Sequence, residues 1–184
     1  MADPVSPTGA DTPPVTVVVD DAQTDVAIDA TRWAELAVHA MGSEGARGEL
    51  TLTFVDRDEI TELNREHMGV DGPTDVLSFP LDAADASPLA DEPLLLGDIV
   101  VCPAVAAEAA PTHAGTIDDE LALLVVHGCL HVVGHDHAEP GEAAVMRERE
   151  LELLVAHHWH GPPPAGFRQA HADDDGVSRE GVPE

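Results

Sequence analysis

The stretch from Ile117 to His137 constrains this chain more than any other. It opens on three acidic residues, Asp118, Asp119 and Glu120, and continues as the apolar run Leu-Ala-Leu-Leu-Val-Val over 121–126. It then reads His127-Gly-Cys-Leu-His131-Val-Val-Gly134-His135-Asp136-His137. The apolar residues lie nearly all round a helical wheel, so a helix here must be buried. Thr116 is placed to cap it, and the acidic first turn suits the positive end of the helix dipole. The expected helix covers 117–133.

Two histidines four apart on such a helix stack on one face. Burying an imidazole without a partner is costly. A shared metal ion is the partner this spacing offers, because two nitrogens bound at about 2.0–2.1 Å lie only about 3–4 Å apart. Gly134 supplies a position where the helix can end with positive φ, after which the chain can return. Were the helix to continue, His135 would sit about 12 Å along the axis from His127. Beyond a turn His137 has the greater reach, so the favoured ligand set is His127, His131 and His137. Asp136 is placed to hold an imidazole or to hydrogen-bond a metal-bound water. Cys129, about 200° round the helix from His127, faces the core. Three protein ligands leave a fourth tetrahedral position open, the catalytic pattern. Zinc suits three imidazoles best, with nickel and copper as alternatives. Gly128 occupies the place of the Glu base in a H-E-x-x-H site, so any base lies elsewhere.

The chain has 184 residues, and 43% are hydrophobic, enough for one domain with its own core. Only 3% are aromatic and Tyr is absent, so Val, Leu and Ala fill that core around Trp33, Phe54, Phe79 and Trp159. Eight Arg and no Lys stand against 36 acidic residues, a formal net charge of −28. No apolar run reaches the roughly 18 residues that suggest a membrane span. No secretory signal is visible, and two cysteines make no disulfide framework, so a cytoplasmic location is expected.

The domain is expected over 15–160, between a loose tail at 1–14 and a disordered acidic, Pro-rich tail at 161–184. Strands are expected at 15–20, 49–55, 75–79 and 94–102, the last with a bulge at Gly97. In the second, Leu50, Leu52 and Phe54 share one face. Helices are expected at 30–41 behind Asp29, at 57–67 behind Asp56, at 103–110 and at 142–158, with a loop at 82–93. Irregular mixing of strands and helices indicates an α/β or α+β single domain, its mixed sheet packed by helices. The metal site falls at the end of the buried helix. His157, His158 and His160 read as helix C-terminal histidines, and His39, His67, His113 and His171 as isolated ones.

The His127–His137 stretch resembles the H-G-x-L-H-x-x-G-[YH]-D-H signature of the YbeY endoribonucleases, a family of ribosomal RNA maturation factors. Leu63-Asn64 followed by Pro73-Thr-Asp-Val-Leu-Ser-Phe-Pro80, and Leu96-Gly-Asp-Ile99, match the family in the same order. The resemblance covers roughly 15–160. It implies a mixed four-stranded sheet and one zinc ion per chain, held by His127, His131 and His137. It implies a metal-dependent endonuclease that cuts single-stranded RNA. Its partners would be ribosomal RNA, at the 3′ end of the small-subunit molecule, and the ribosome or its small subunit, whose quality it controls. One departure stands out. Many members carry an Arg shortly after the Leu-Asn pair, where this chain has Met68. Arg65, one turn earlier, or Arg57 could contact phosphate instead, although both also fit a solvated helix face. Asp75 could orient a ligand or simply start a strand.

Such a site admits three readings. The first is RNA hydrolysis, with Asp136, a metal-derived hydroxide or the RNA 2′-OH in play. The second is a zinc hydrolase of a peptide or small molecule. The third is a non-enzymatic ribosome assembly factor with a structural zinc. The charge bears on the first, because nonspecific RNA affinity comes largely from neutralised phosphates. At −28 an Arg-lined groove, the metal or a ribosomal partner must compensate.

Overall fold

Alternation along the strands decides which face of the sheet each residue joins. The computed structural model describes residues 15–81 and 94–169. The element order is β1 (Thr16–Asp21), α1 (Ala30–Ser43), β2 (Glu49–Phe54), α2 (Arg57–Met68), β3 (Val76–Pro80), β4 (Leu95–Val101), α3 (Pro103–Ala109), α4 (Ile117–Val132) and α5 (Pro140–Leu154), followed by a π-helical turn, Val155–Trp159. The sheet order is β1-β2-β4-β3. β1, β2 and β4 run parallel, and β3 pairs antiparallel on β4. This is the expected mixed four-stranded sheet.

Leu50, Leu52 and Phe54 of β2, with Ile99 and Val101 of β4, face a large core shared with α1, α4 and α5. Val100 of β4 and Leu77 of β3 point to the other face. There they meet Ile60 and Leu63 of α2 in a smaller core with Val55 and Cys102. The helices therefore cover both faces, and α4 is the most deeply enclosed. Thirteen of its residues are buried, Leu121, Leu123, Leu124 and Leu130 among the fully enclosed. Each such side chain contributes about 1.5–3 kcal/mol relative to exposure.

Caps stand where the sequence places them. Asp29, Asp56 and Thr116 each accept a hydrogen bond from a first-turn backbone N–H. Other boundaries shift for local reasons. α1 runs past Gly42, and the Glu44 N–H closes it on Ala40 and Met41 carbonyls. α5 begins at Pro140 rather than Glu142, since proline's fixed φ and missing N–H fit a first helical turn. Pro80 closes an edge strand, where its missing donor is tolerated. The register slips between Glu49 and Leu50, which face Leu95 and Gly97, so Leu96 is the extra residue of the bulge expected there. A Cβ on Gly97 would meet the Phe79 carbonyl oxygen at 2.6 Å.

The chain end departs from expectation. Residues 161–169 pack back on the domain: Phe167 lies edge-on to Trp159, and the Arg168 N–H donates to the His113 carbonyl. Their apolar and backbone contacts, hidden behind a Pro-rich composition, hold them there. The expected segments 1–14, 82–93 and 170–184 lie outside the described residues, as does His171. The terminal histidines do more than meet a dipole. His158 Nε2 lies 2.9 Å from Asp119 Oδ1, to which Trp159 Nε1 also donates at 2.6 Å. His39 stacks on His157, His67 meets the edge of Phe79, and His113 lies 3.2 Å from the buried Glu120 carboxyl.

Gly128 lets α4 settle against the sheet. A Cβ there would stand 2.8 Å from Ile99 Cγ2 and 3.2 Å from Ser78 Oγ. Substituting Gly128→Ala should therefore destabilise the protein by about 1–3 kcal/mol, the usual effect of overpacking. Urea unfolding measures this; an unchanged midpoint would contradict the packing.

Candidate metal centre

α4 places His127 and His131 one turn apart, with His127 buried and His131 half-buried. The helix closes at Val132. Gly134 takes φ +96, and the His135 N–H reaches back to the Leu130 carbonyl at 2.9 Å. The chain turns, and His137 comes to stand over both helical histidines, its ring centroid 5.5 Å from that of His127 and 4.9 Å from that of His131. One ligand nitrogen from each of the three lies within 4.8 Å of the others. The expected trio is thus assembled.

Hydrogen bonds assign the tautomers. His127 Nδ1 lies 2.7 Å from Glu150 Oε1, and His131 Nδ1 lies 3.0 Å from the His135 carbonyl oxygen. A carbonyl only accepts, so His131 Nδ1 carries the proton, and a carboxylate imposes the same on His127. The neutral His131 then presents its Nε2 lone pair, and His127 Nε2 lies 3.1 Å from it. Such a contact is satisfied by a proton or a metal ion shared between the two nitrogens. Nitrogens on one tetrahedral ion at about 2.0–2.1 Å stand about 3.3 Å apart. The donor set therefore fits a metal ion such as zinc. Burial, with lesser help from His127 and His137, pushes the His131 imidazole down to about 4, so it is neutral and ready to ligate at pH 7.

The other sequence candidates fall out as follows. Cys129 lies in the core, its thiol pushed up to about 12 by burial, away from ligation. His135 turns its ring to Glu44, with Nε2 3.1 Å from Oε2. Asp136 holds no imidazole. Its Oδ1 accepts from the N–H groups of His137 (2.7 Å) and Ala138 (3.2 Å), which shapes the turn and holds its carboxyl below the usual range. Arg57 is tied to Glu108 by an ion pair. Arg65 is exposed in the last turn of α2 and makes no hydrogen bond or ion pair with the described residues. Asp75 is buried at the start of β3, where its Oδ1 accepts the Val76 N–H.

Glu150 is the residue that sequence reasoning missed. It is fully buried in α5, and Gln169 also donates to it. A signal was present in its position on an apolar helical face, four residues before Leu154 and four after Met146, where a charge needs a partner. Glu44 was missed as well. Burial would raise its carboxyl, but hydrogen bonds from Arg149 (Nε to Oε1, 2.6 Å) and His135 outweigh that and hold it below the usual range.

A buried helix carrying two oriented imidazoles, with a third from the following turn, on a mixed sheet defines an α/β protein with a three-histidine cluster that could hold a metal ion. A family model described as Endoribonuclease YbeY matches residues 18–158. A relative from Salinispora tropica, named Endoribonuclease YbeY, is 44% identical over 148 residues, covering 76% of this chain and 93% of its own. One from Beutenbergia cavernae with the same name is 40% identical over 139 residues, covering 72% and 91%. The solution structure of TM1509 from Thermotoga maritima superposes with a TM-score of 0.50 at 25% identity, covering 79% of this chain and 91% of that one. The chain belongs to the YbeY endoribonuclease family.

The site makes two testable statements. Glu150→Gln should weaken zinc binding about 10–100-fold, the usual effect of losing a ligand's hydrogen-bond partner, read by competition with a chromophoric chelator. The metal-free protein should lose stability as pH falls from 6.5 towards 4. Over that window an unfolded His takes a proton that folded His131 refuses, so acid favours unfolding. Chemical denaturation of the wild type and of His131→Ala across the window checks this; the slope should shrink in the variant.

Proposed function

We propose that this chain is a zinc-dependent endoribonuclease that cuts single-stranded RNA in the cytoplasm. Its task is maturation of ribosomal RNA at the 3′ end of the small-subunit molecule, and ribosome quality control. The observation that carries this is the convergence of His127, His131 and His137 in a chain of the YbeY family. When bound, a zinc ion held by three imidazoles acts as a Lewis acid on a phosphoryl oxygen and lowers the pKa of water towards about 7.

The chain's own residues set the stage for that chemistry. Glu150 and the His135 carbonyl keep the two helical imidazoles in the ligating tautomer. Gly128 cannot give way to a helix-borne Glu base, because Ile99 and Ser78 fill the space. Asp136, held ionised by two backbone N–H groups, is better suited to accept a hydrogen bond at the rim than to take a proton near neutral pH. Arg65, unengaged and exposed, supplies the phosphate contact that Met68 cannot. With a formal charge of −28, the protein depends on its ribosomal partner for affinity.

His131→Ala tests the reading. The variant should stay folded by circular dichroism, lose stoichiometric zinc, and cut single-stranded RNA at least about 100-fold more slowly. The wild type should lose activity with chelator, and should cut RNA in small-subunit particles better than the same RNA free. Unfolding of the variant together with chelator-insensitive cleavage would overturn the proposal.

A further inference from the structure

The turn that delivers His137 has little packing of its own. Gly134, Asp136 and Ala138 are exposed, and among the described residues no atom beyond its chain neighbours stands within 4 Å of where a Gly134 Cβ would be. Its local ties are the Gly134 N–H to the His131 carbonyl, the His135 N–H to the Leu130 carbonyl and the two bonds to Asp136 Oδ1. Local ties fix the shape of a turn, but they do not fix its position relative to the rest of the domain. Something outside the turn must do that if three nitrogens are to meet within a few tenths of an ångström.

His135 is where the outside reaches in. Its carbonyl accepts from His131 Nδ1 at 3.0 Å, and its ring Nε2 lies 3.1 Å from Glu44 Oε2, 91 residues away at the end of α1. The other Glu44 oxygen receives Arg149 Nε of α5 at 2.6 Å. Arg149 is anchored in turn on Glu152 at 2.6 Å and on the Ser43 carbonyl at 3.3 Å. Glu44 is only 13% exposed at its side chain and its backbone N–H caps α1, so its carboxylate has little freedom. The chain of contacts runs from two helices that build the core, through one carboxylate, to His135. That residue orients one ligand and lies two positions before another.

We propose that Glu44, backed by Arg149, is a positioning residue that fixes the turn from Gly134 to His137, and with it the third ligand, by clamping His135. This rests on the reading of His127, His131 and His137 as ligands. The clamp acts on metal affinity and on the rate at which metal leaves, because loosening it lets the third ligand swing away and unlocks the His131 ring. A partner acting through a ligand's orientation is commonly worth about 10–100-fold in affinity.

The test is a metal titration of full-length metal-free protein with cobalt(II), followed by its visible absorption, and with zinc against a chromophoric chelator. Wild type should bind one ion, and His131→Ala should not. Glu44→Ala should bind zinc about 10–100-fold more weakly, release it correspondingly faster to excess chelator, and show an altered cobalt spectrum. Glu44→Gln, which keeps one hydrogen-bonding oxygen, should fall between. Arg149→Met removes the anchor while leaving Glu44 in place, and should weaken binding in the same direction; it decides the matter if Glu44→Ala does not fold. Asp118→Asn, which breaks the exposed α1–α4 ion pair with Arg32, should leave affinity unchanged. If wild type binds no metal, the ligand reading itself fails. If wild type binds and the Glu44 and Arg149 variants match it within about twofold while only their melting temperatures fall, the clamp is structural and the proposal is overturned.

Discussion

A helix that carries two imidazoles at the edge of a hydrophobic core has to satisfy their polar atoms, and that demand organises this domain. His127 meets it through Glu150, a fully buried carboxylate on α5. A buried carboxylate is tolerable only when its oxygens are well engaged. Glu150 uses one oxygen for His127 and the other for Gln169, which reaches it from beyond the π-helical turn. Gln169 thereby ties the segment 161–169 to the histidine cluster. The segment after the last helix belongs to the same polar network as His127, and the fold and the candidate site share one set of contacts.

Gly128 expresses a second compromise in the same helix. Its missing side chain lets α4 lie against Ile99 and Ser78, which brings the histidine-bearing end of the helix down onto β3 and β4. In a H-E-x-x-H helix that position holds the base. Here the space is taken up by packing, so the chemistry has to draw its proton acceptor from the turn, the ion or the substrate. For RNA this is a small loss, because the substrate carries a hydroxyl next to the bond that breaks.

Much of this was legible in the sequence because it is local. The caps at Asp29, Asp56 and Thr116 depend on residues three positions apart, and the β2 alternation depends on the next-but-one residue. The pairing of His127 with His131 follows from one helical turn, and His137 follows from the reach allowed beyond Gly134. What escaped depends on separations that periodicity does not encode. Glu150 lies 23 residues from His127, and Glu44 lies 91 from His135. Each is an ordinary acidic residue among 36, and only tertiary packing singles it out. Asp136, placed by the sequence to hold an imidazole or to hydrogen-bond a metal-bound water, has one oxygen closed on the backbone N–H groups just ahead of it, a local contact typical of a short side chain at a turn.

Charge is the remaining constraint on how such a protein meets RNA. Long-range attraction scales with the number of phosphates a protein neutralises, each releasing roughly one counterion. Among the described residues, ion pairs engage Arg32 with Asp118, Arg57 with Glu108, and Arg149 with Glu44 and Glu152. These side chains stabilise helix contacts and have little left for a polyanion. A chain at −28 repels a polyanion over most of its surface, so favourable contact with phosphate has to be made at short range. Repulsion of this kind is a form of selectivity, because a polyanion gains affinity only where local contacts outweigh the surface charge.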